Sequence, residues 1–168
     1  TDASVANVGI LTNWSWDFND PASGSANTSI LQNPTHTFDS ARTYQVKLTV
    51  TSSKGCVSNV FTRPVIINPQ PVAGFISPEV CLSDAFAQFI DTTHIASGSI
   101  VSWLWHFGDP GSGALDSSIL QNPQHRYSAI GFYTATLTVT SNSGCITTAA
   151  QTFTVNGDIP SANFNALN

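Results

Sequence analysis

WLWHFGDPGSG at residues 103–113, SILQNPQH at 118–125 and YTATLTVTSNSGC at 133–145 are the stretches that decide the fold of this chain. Each is written twice. WSWDFNDPASG stands at 14–24, SILQNPTH at 29–36 and YQVKLTVTSSKGC at 44–56, so Trp16 maps onto Trp105, 89 residues later, without a gap between the copies. Within the copies Trp103, Trp105 and Phe107 alternate with polar residues, as do Tyr133, Ala135, Leu137 and Val139. A period of two marks half-buried β-strands. A unit of domain size repeated in tandem points to a scaffold or an adhesive array rather than to a catalyst.

Working outward, Asp2 aligns with Asp91, and Pro160–Phe164 (PSANF) with Pro71–Phe75 (PVAGF). The repeat therefore predicts three parts: residues 1–70, a unit without its opening strands; residues 71–157, a complete unit; and residues 158–168, the start of a third repeat or a linker. In the complete unit, strands are expected near 73–77, 85–90, 100–107, 117–120, 124–127, 132–141 and 145–155, with no helix. Seven short strands divided by turn residues predict an all-β fold, a tandem pair of immunoglobulin-like two-sheet sandwiches. Trp14, Trp16 and Phe18, like Trp103, Trp105 and Phe107, share one strand face, which is assigned to the core rather than to an exposed sugar-stacking platform.

Composition narrows the function. Of 168 residues 41% are hydrophobic and only 9% charged, so the surface is built from Ser, Thr and Asn, which suits sheet faces and disfavours solvated helices. Five Lys and Arg against ten Asp and Glu give a net charge of −5, and no basic stripe exists to neutralise a phosphate backbone. Nucleic acid is excluded as a partner. No apolar run reaches the roughly 20 residues of a membrane span, so no membrane insertion is expected in this segment. No nucleophile elbow, paired-carboxylate pattern or Cys/His metal cluster is present, and neither an enzyme nor a cofactor is expected.

The series W-x-F-G-D, NP-x-H-x-Y and G-x-Y-x-V-x-L-x-V-T, followed closely here, resembles the PKD (polycystic kidney disease) domain, over both copies and most of the chain. The GDP-x-SG, QNP and terminal GC forms look like those of large secreted or surface proteins of Bacteroidetes. Asn19 in place of Gly108, His106 in place of Asp17 and Arg42 in place of Gly131 are departures that leave the alternating core untouched. Asn19 fits a turn because Asn tolerates the left-handed region. The resemblance implies a non-enzymatic structural repeat, the stalk or fibre of an extracellular or bacterial cell-surface protein. Its partners would be neighbouring repeats of the same chain and, at the cell surface, another protein or a glycan. Two further roles stand beside it: a ligand- or carbohydrate-binding accessory module of a secreted hydrolase, or a subunit of a self-assembling extracellular filament.

Particular residues carry expectations. Tyr44 and Tyr133 read as tyrosine corners, and His36 and His125, kept in both copies, as structural histidines bonded to a loop carbonyl. Asp20 and Asp109, in Gly-rich turns, are candidate Ca²⁺ ligands by the resemblance, although Ca²⁺ takes six to eight oxygens and each turn supplies one carboxylate. Ser40 in Asp39-Ser40-Ala41 and Thr92 in Asp91-Thr92-Thr93 resemble O-glycosylation acceptors. Cys56 and Cys145 are equivalent, so a complete unit owns two cysteines, and a Cys81–Cys145 disulfide is predicted. Such a bridge, closing a loop of 64 residues, is worth about 4 kcal/mol. The alternative is three small, reduced, buried thiols.

Overall fold

The computed structural model describes residues 1–7, 9–84 and 86–157; the expected third repeat at 158–168 lies outside the described residues. The chain divides into two compact units, Thr1–Pro69 and the residues from Gln70 onward.

The first unit is one antiparallel sheet of β1 (Leu11–Asp17), β2 (Thr28–Ser29), β3 (Thr43–Ser52) and β4 (Phe61–Ile66), in the order β2-β1-β3-β4. Along β3 the apolar alternation buries Tyr44, Val46, Leu48 and Val50, while Gln45 and Lys47 face solvent. Thr51 bridges Val57, yet three residues back along β3 Leu48 already pairs with Phe61, four residues on along β4. One extra residue is thus held between Ser58 and Val60. Such a bulge is what keeps Val65 and Ile67 turned toward the core, because a one-residue slip exchanges the faces of a strand.

The second unit is the sandwich. β9 (Ile100–His106), β10 (Ser117–Ser118), β12 (Gly131–Ser141) and β13 (Ile146–Asn156) join β6 (Val80–Cys81) in a five-stranded sheet ordered β10-β9-β12-β13-β6. The opposing layer consists of β5 (Phe75–Ile76) paired with β8 (Ile90–Asp91), and β7 (Ala87–Gln88) paired with β11 (Gln124–His125). β7 and β8 are one run interrupted at Phe89, whose amide bonds the Pro123 carbonyl at 3.0 Å. The expected first strand near 73–77 is observed as β5, and a short strand outside that span, β6, follows it. β5 serves one sheet, and then β6 crosses to pair in parallel with the end of β13, Val80 opposite Val155 and Cys81 opposite Asn156.

Between the layers, Phe75, Val80, Phe89, Trp105, Phe107, Leu137, Val139 and Val155 form the core. Trp105 is fully buried, with Phe75 edge-on at 5.0 Å and Phe89 at 5.5 Å between ring centroids, arrangements that aromatic quadrupoles favour. These are tandem immunoglobulin-like β-sandwich units, the second with both sheets and the first with one among its described residues. Over Trp16, Val46, Leu48 and Val65 the first unit has an open apolar concavity of about 760 Å³. That face is the one that Phe75, Val80 and Phe89 cover in the second unit.

Candidate functional site

The repeated Asp-Pro turn is the most structured polar feature of each unit. Instead of the plain turn expected, residues Pro21–Asn27 and Pro110–Asp116 each form a short 3₁₀ stretch, opened by proline and kinked at Gly24 (φ 58°) and Gly113 (φ 61°). A proline start followed by a small-residue run supports 3₁₀ geometry, a signal that the alternating strands on either side overshadow. Asn27 and Asp116 fasten the turns, accepting from the amides of Asp20 at 2.5 Å and Asp109 at 2.6 Å. Ser23 and Ser112 each donate their hydroxyl to the carbonyl of that aspartate at 2.7 Å.

The side chains of Asp20 and Asp109 point inward. Asp20 is 0% and Asp109 7% exposed, and their carboxylates meet His36 at 2.9 Å and His125 at 3.2 Å. Each imidazole lies flat on an aromatic ring, His36 on Phe18 at 4.2 Å and His125 on Phe107 at 4.4 Å. The histidines are therefore structural, as expected, but their partner is a buried carboxylate and not a loop carbonyl. A carboxylate needs such a partner to be tolerated in an apolar interior. One oxygen of each carboxylate, the Ca²⁺ candidates of the sequence, is thus occupied by a histidine rather than turned to an oxygen-lined loop. Among the described residues no three His, Cys, Asp or Glu side chains come together to hold a metal ion.

Arg42, where the second unit has Gly131, is explained by the same site. Its guanidinium approaches the second oxygen of Asp20 at 3.5 Å and lies 4.1 Å above the Tyr44 ring. Asn19 also fits its substitution, sitting in the left-handed region at φ 56° where Gly108 has φ 74°. Asp17 is half-buried and takes Lys47 at 3.5 Å, while His106 faces solvent.

The tyrosine corners are present. The Tyr44 hydroxyl is 2.9 Å from the Ser40 carbonyl and the Tyr133 hydroxyl 3.0 Å from that of Ala129, each four residues upstream. The Ser40 hydroxyl is itself engaged by Tyr44 at 3.1 Å, whereas Thr92 is exposed beside Gly74. Tyr127 donates to the Phe107 carbonyl at 2.9 Å, and burial, with Asp109 nearby, pushes its phenol well above the usual range. The indole nitrogens of Trp16 and Trp105 donate to the carbonyls of Leu31 and Leu120 at 3.0 and 2.9 Å, fixing the SILQNP loop in both copies.

One hub was not singled out from sequence. Asp91 accepts from the Trp103 indole at 2.8 Å, the Thr93 amide at 2.9 Å and the Gln121 amide group at 3.2 Å. Asp2 repeats it with Trp14, Ser4 and Gln32. Partial burial opposes ionisation of Asp91, but the bonds from Thr93, Trp103 and Gln121 outweigh it and hold the carboxyl below its ordinary value. The offset of 89 between Asp2 and Asp91 was the available signal.

The predicted Cys81–Cys145 disulfide is overturned. Cys81 lies beside Asn156 at the end of β13, while Cys145 immediately precedes its first residue, Ile146. Ten or so residues at about 3.3 Å each put the two near 30 Å apart, against the 7 Å limit between Cα atoms. All three cysteines are free thiols, Cys56 and Cys81 exposed and Cys145 partly so, which also departs from the buried alternative.

The PKD domain family matches residues 1–67 and again 68–156. The chain belongs to the PKD domain family. Among solved structures, the PKD1 domain of Vibrio anguillarum Epp is 30% identical over 54% of this chain and 99% of its own, with a TM-score of 0.48. The PKD1 domain of the Vibrio cholerae metalloprotease PrtV is 33% identical over 52% and 98%, with a TM-score of 0.45. Among the described residues of these PKD units, no helix is long and apolar enough to cross a membrane.

Proposed function

We propose that this pair of PKD units is a non-enzymatic, force-bearing spacer in the stalk or fibre of an extracellular or cell-surface bacterial protein. The observation that carries the reading lies in the second unit. Its short strand β6, near the start of the unit, runs parallel to the last strand β13 and pairs with it at Val80–Val155 and Cys81–Asn156, with Gln151 donating to the Phe75 carbonyl at 2.6 Å. Tension applied through the two ends of such a unit loads these hydrogen bonds in shear, so they resist together instead of opening singly. The aromatic core beneath must be exposed at the same step, which adds the cost of hydrating Trp105, Phe89 and Phe75.

The buried His–Asp pairs and tyrosine corners serve this role by fixing loops to the scaffold, not by doing chemistry. Single-molecule pulling on the chain between handles tests it. The second unit is expected to unfold in one step releasing roughly 300 Å of contour at about 3.5 Å per residue. Gradual extension at low force would refute the mechanical reading, and saturable binding to a glycan array would favour an accessory binding module. Ser40 and Thr92 remain proposed O-glycosylation sites, to be checked by the intact mass of natively produced protein.

A further inference from the structure

We propose that Asn156-Gly157 is a deamidation site guarded by the pairing of β6 with β13, so that a second unit in which this pairing opens is converted to a form that re-pairs less well. The proposal deepens the load-bearing reading and uses residues of the second unit alone.

The chemistry begins in the sequence. The amide nitrogen of the residue after an asparagine can attack the asparagine side-chain carbonyl carbon, and glycine, which has no side chain to obstruct the approach, permits this best. Proline has no amide hydrogen to give up and blocks it. Asn33, Asn68 and Asn122 are each followed by proline, and glycine follows asparagine at one place in the 168 residues, Asn156-Gly157. The equivalent positions of the first copy hold Ile67 and Asn68, so the site belongs to the second unit only.

Both residues are exposed, and the space around Gly157 is open. The restraint lies in the backbone. Asn156 is the last residue of β13, stands opposite Cys81 of β6, and its carbonyl accepts from the Leu82 amide at 3.0 Å. Ring closure has to turn the Asn156 backbone away from the extended conformation that this pairing imposes. β6 is two residues long, so its pairing is a part of the unit that opens early, by thermal fluctuation or under tension.

Once it opens, the Gly157 nitrogen bonds to Cγ of Asn156 and gives its proton to water, while the side-chain amide leaves as ammonia. Water then opens the five-membered ring at either carbonyl. The product is aspartate, or isoaspartate with the chain running through Cβ and one atom longer. No electrons are exchanged, and one carboxylate is gained. Glu79, immediately before β6, lines the same hollow as Asn156, and the Asp84 carboxylate accepts from the Cys81 amide at 2.7 Å. The new carboxylate is thus a third negative charge around a two-residue strand, and like charges at short range repel. An opening of the pairing thereby leaves a lasting mark on the unit.

The test incubates the full chain at mildly alkaline pH, separates charge variants by anion exchange and locates aspartate and isoaspartate by peptide mapping. Conversion at Asn156 is expected to be at least about tenfold slower in the folded chain than in the same chain unfolded in urea. Leu82→Pro, which deletes the donor to Asn156, and the milder Val80→Ala, which removes part of the buried face of β6, are both expected to speed it, with tryptophan fluorescence reporting that the variants fold. Should one variant not fold, the other decides. Equal rates in the folded and unfolded chain, no conversion at Asn156 in either, or a folded variant that converts no faster than wild type overturns the proposal. The purified converted chain is expected to exchange the Leu82 amide hydrogen several-fold faster than the unconverted chain, and unchanged exchange overturns the claim of poorer re-pairing. Each of these failures leaves the mechanical reading standing, because that is judged by unfolding in a single step under load.

Discussion

Replacing Asp91 by Asn is expected to cost the second unit about 1–2 kcal/mol at neutral pH and less in acid. The ionised carboxylate accepts from the Trp103 indole at 2.8 Å, the Thr93 amide at 2.9 Å and Gln121 at 3.2 Å, tying the strand that ends in β8 to β9 and to the SILQNP loop. Hydrogen bonds to a charged group contribute about 1.5–3 kcal/mol each, and the partial exposure of Asp91 together with the one oxygen that asparagine retains trims their sum. The folded-state carboxyl lies below its ordinary value of 3.8, so its contribution is fully present above that pH and is lost as pH falls through the folded value. Urea unfolding of wild type and variant, followed by tryptophan fluorescence at pH 7 and at stepwise lower pH, measures the difference directly. The gap is expected to close progressively below about pH 4. A gap that stays constant into strong acid, or one under about 0.5 kcal/mol at pH 7, would refute the hub.

Three more outcomes follow from the same geometry. Leu137→Ala, fully buried in β12 and paired across the sheet with Trp105 of β9, is expected to lower stability by about 2–5 kcal/mol in urea titrations. Gly108→Ala drives a methyl group into the Thr134 carbonyl at φ 74° and is expected to cost about 2–4 kcal/mol, whereas Asn19→Gly at the equivalent site changes the melting temperature little. The double variant Cys81→Ser, Cys145→Ser is expected to change stability by less than about 0.5 kcal/mol under non-reducing conditions; a loss near 4 kcal/mol would restore the intra-unit bridge.

The architecture was legible because the chain carries two copies of one pattern. Alternation along 103–107 and 133–139 located β9 and β12 and their buried face, and Tyr44 and Tyr133 announced their corners by position. What escaped depended on tertiary partners. Val80–Cys81 is too short for a period to register, and its parallel pairing with β13 follows only once the first strand changes sheets. That missed crossing misplaced the disulfide, since a shared unit says nothing about which end of a strand a cysteine occupies. The His–Asp contact was half-read. Recurrence in both copies marked His36 and His125 as structural, but no sequence spacing states that residues 16 apart meet inside a core. The sequence marks Asp91 as the partner of Asp2 and as part of Asp91-Thr92-Thr93, but not as a hub, because its donors come from three separate segments.

The central claim is that these PKD units bear load, and pulling the chain from its two ends by atomic force or optical tweezers tests it most directly. The account predicts a discrete, cooperative rupture of the second unit with roughly 300 Å of released contour at about 3.5 Å per residue, weakened when Val155→Pro removes a donor beside the β6 pairing. Smooth low-force extension without a rupture, unchanged by that substitution, would contradict it.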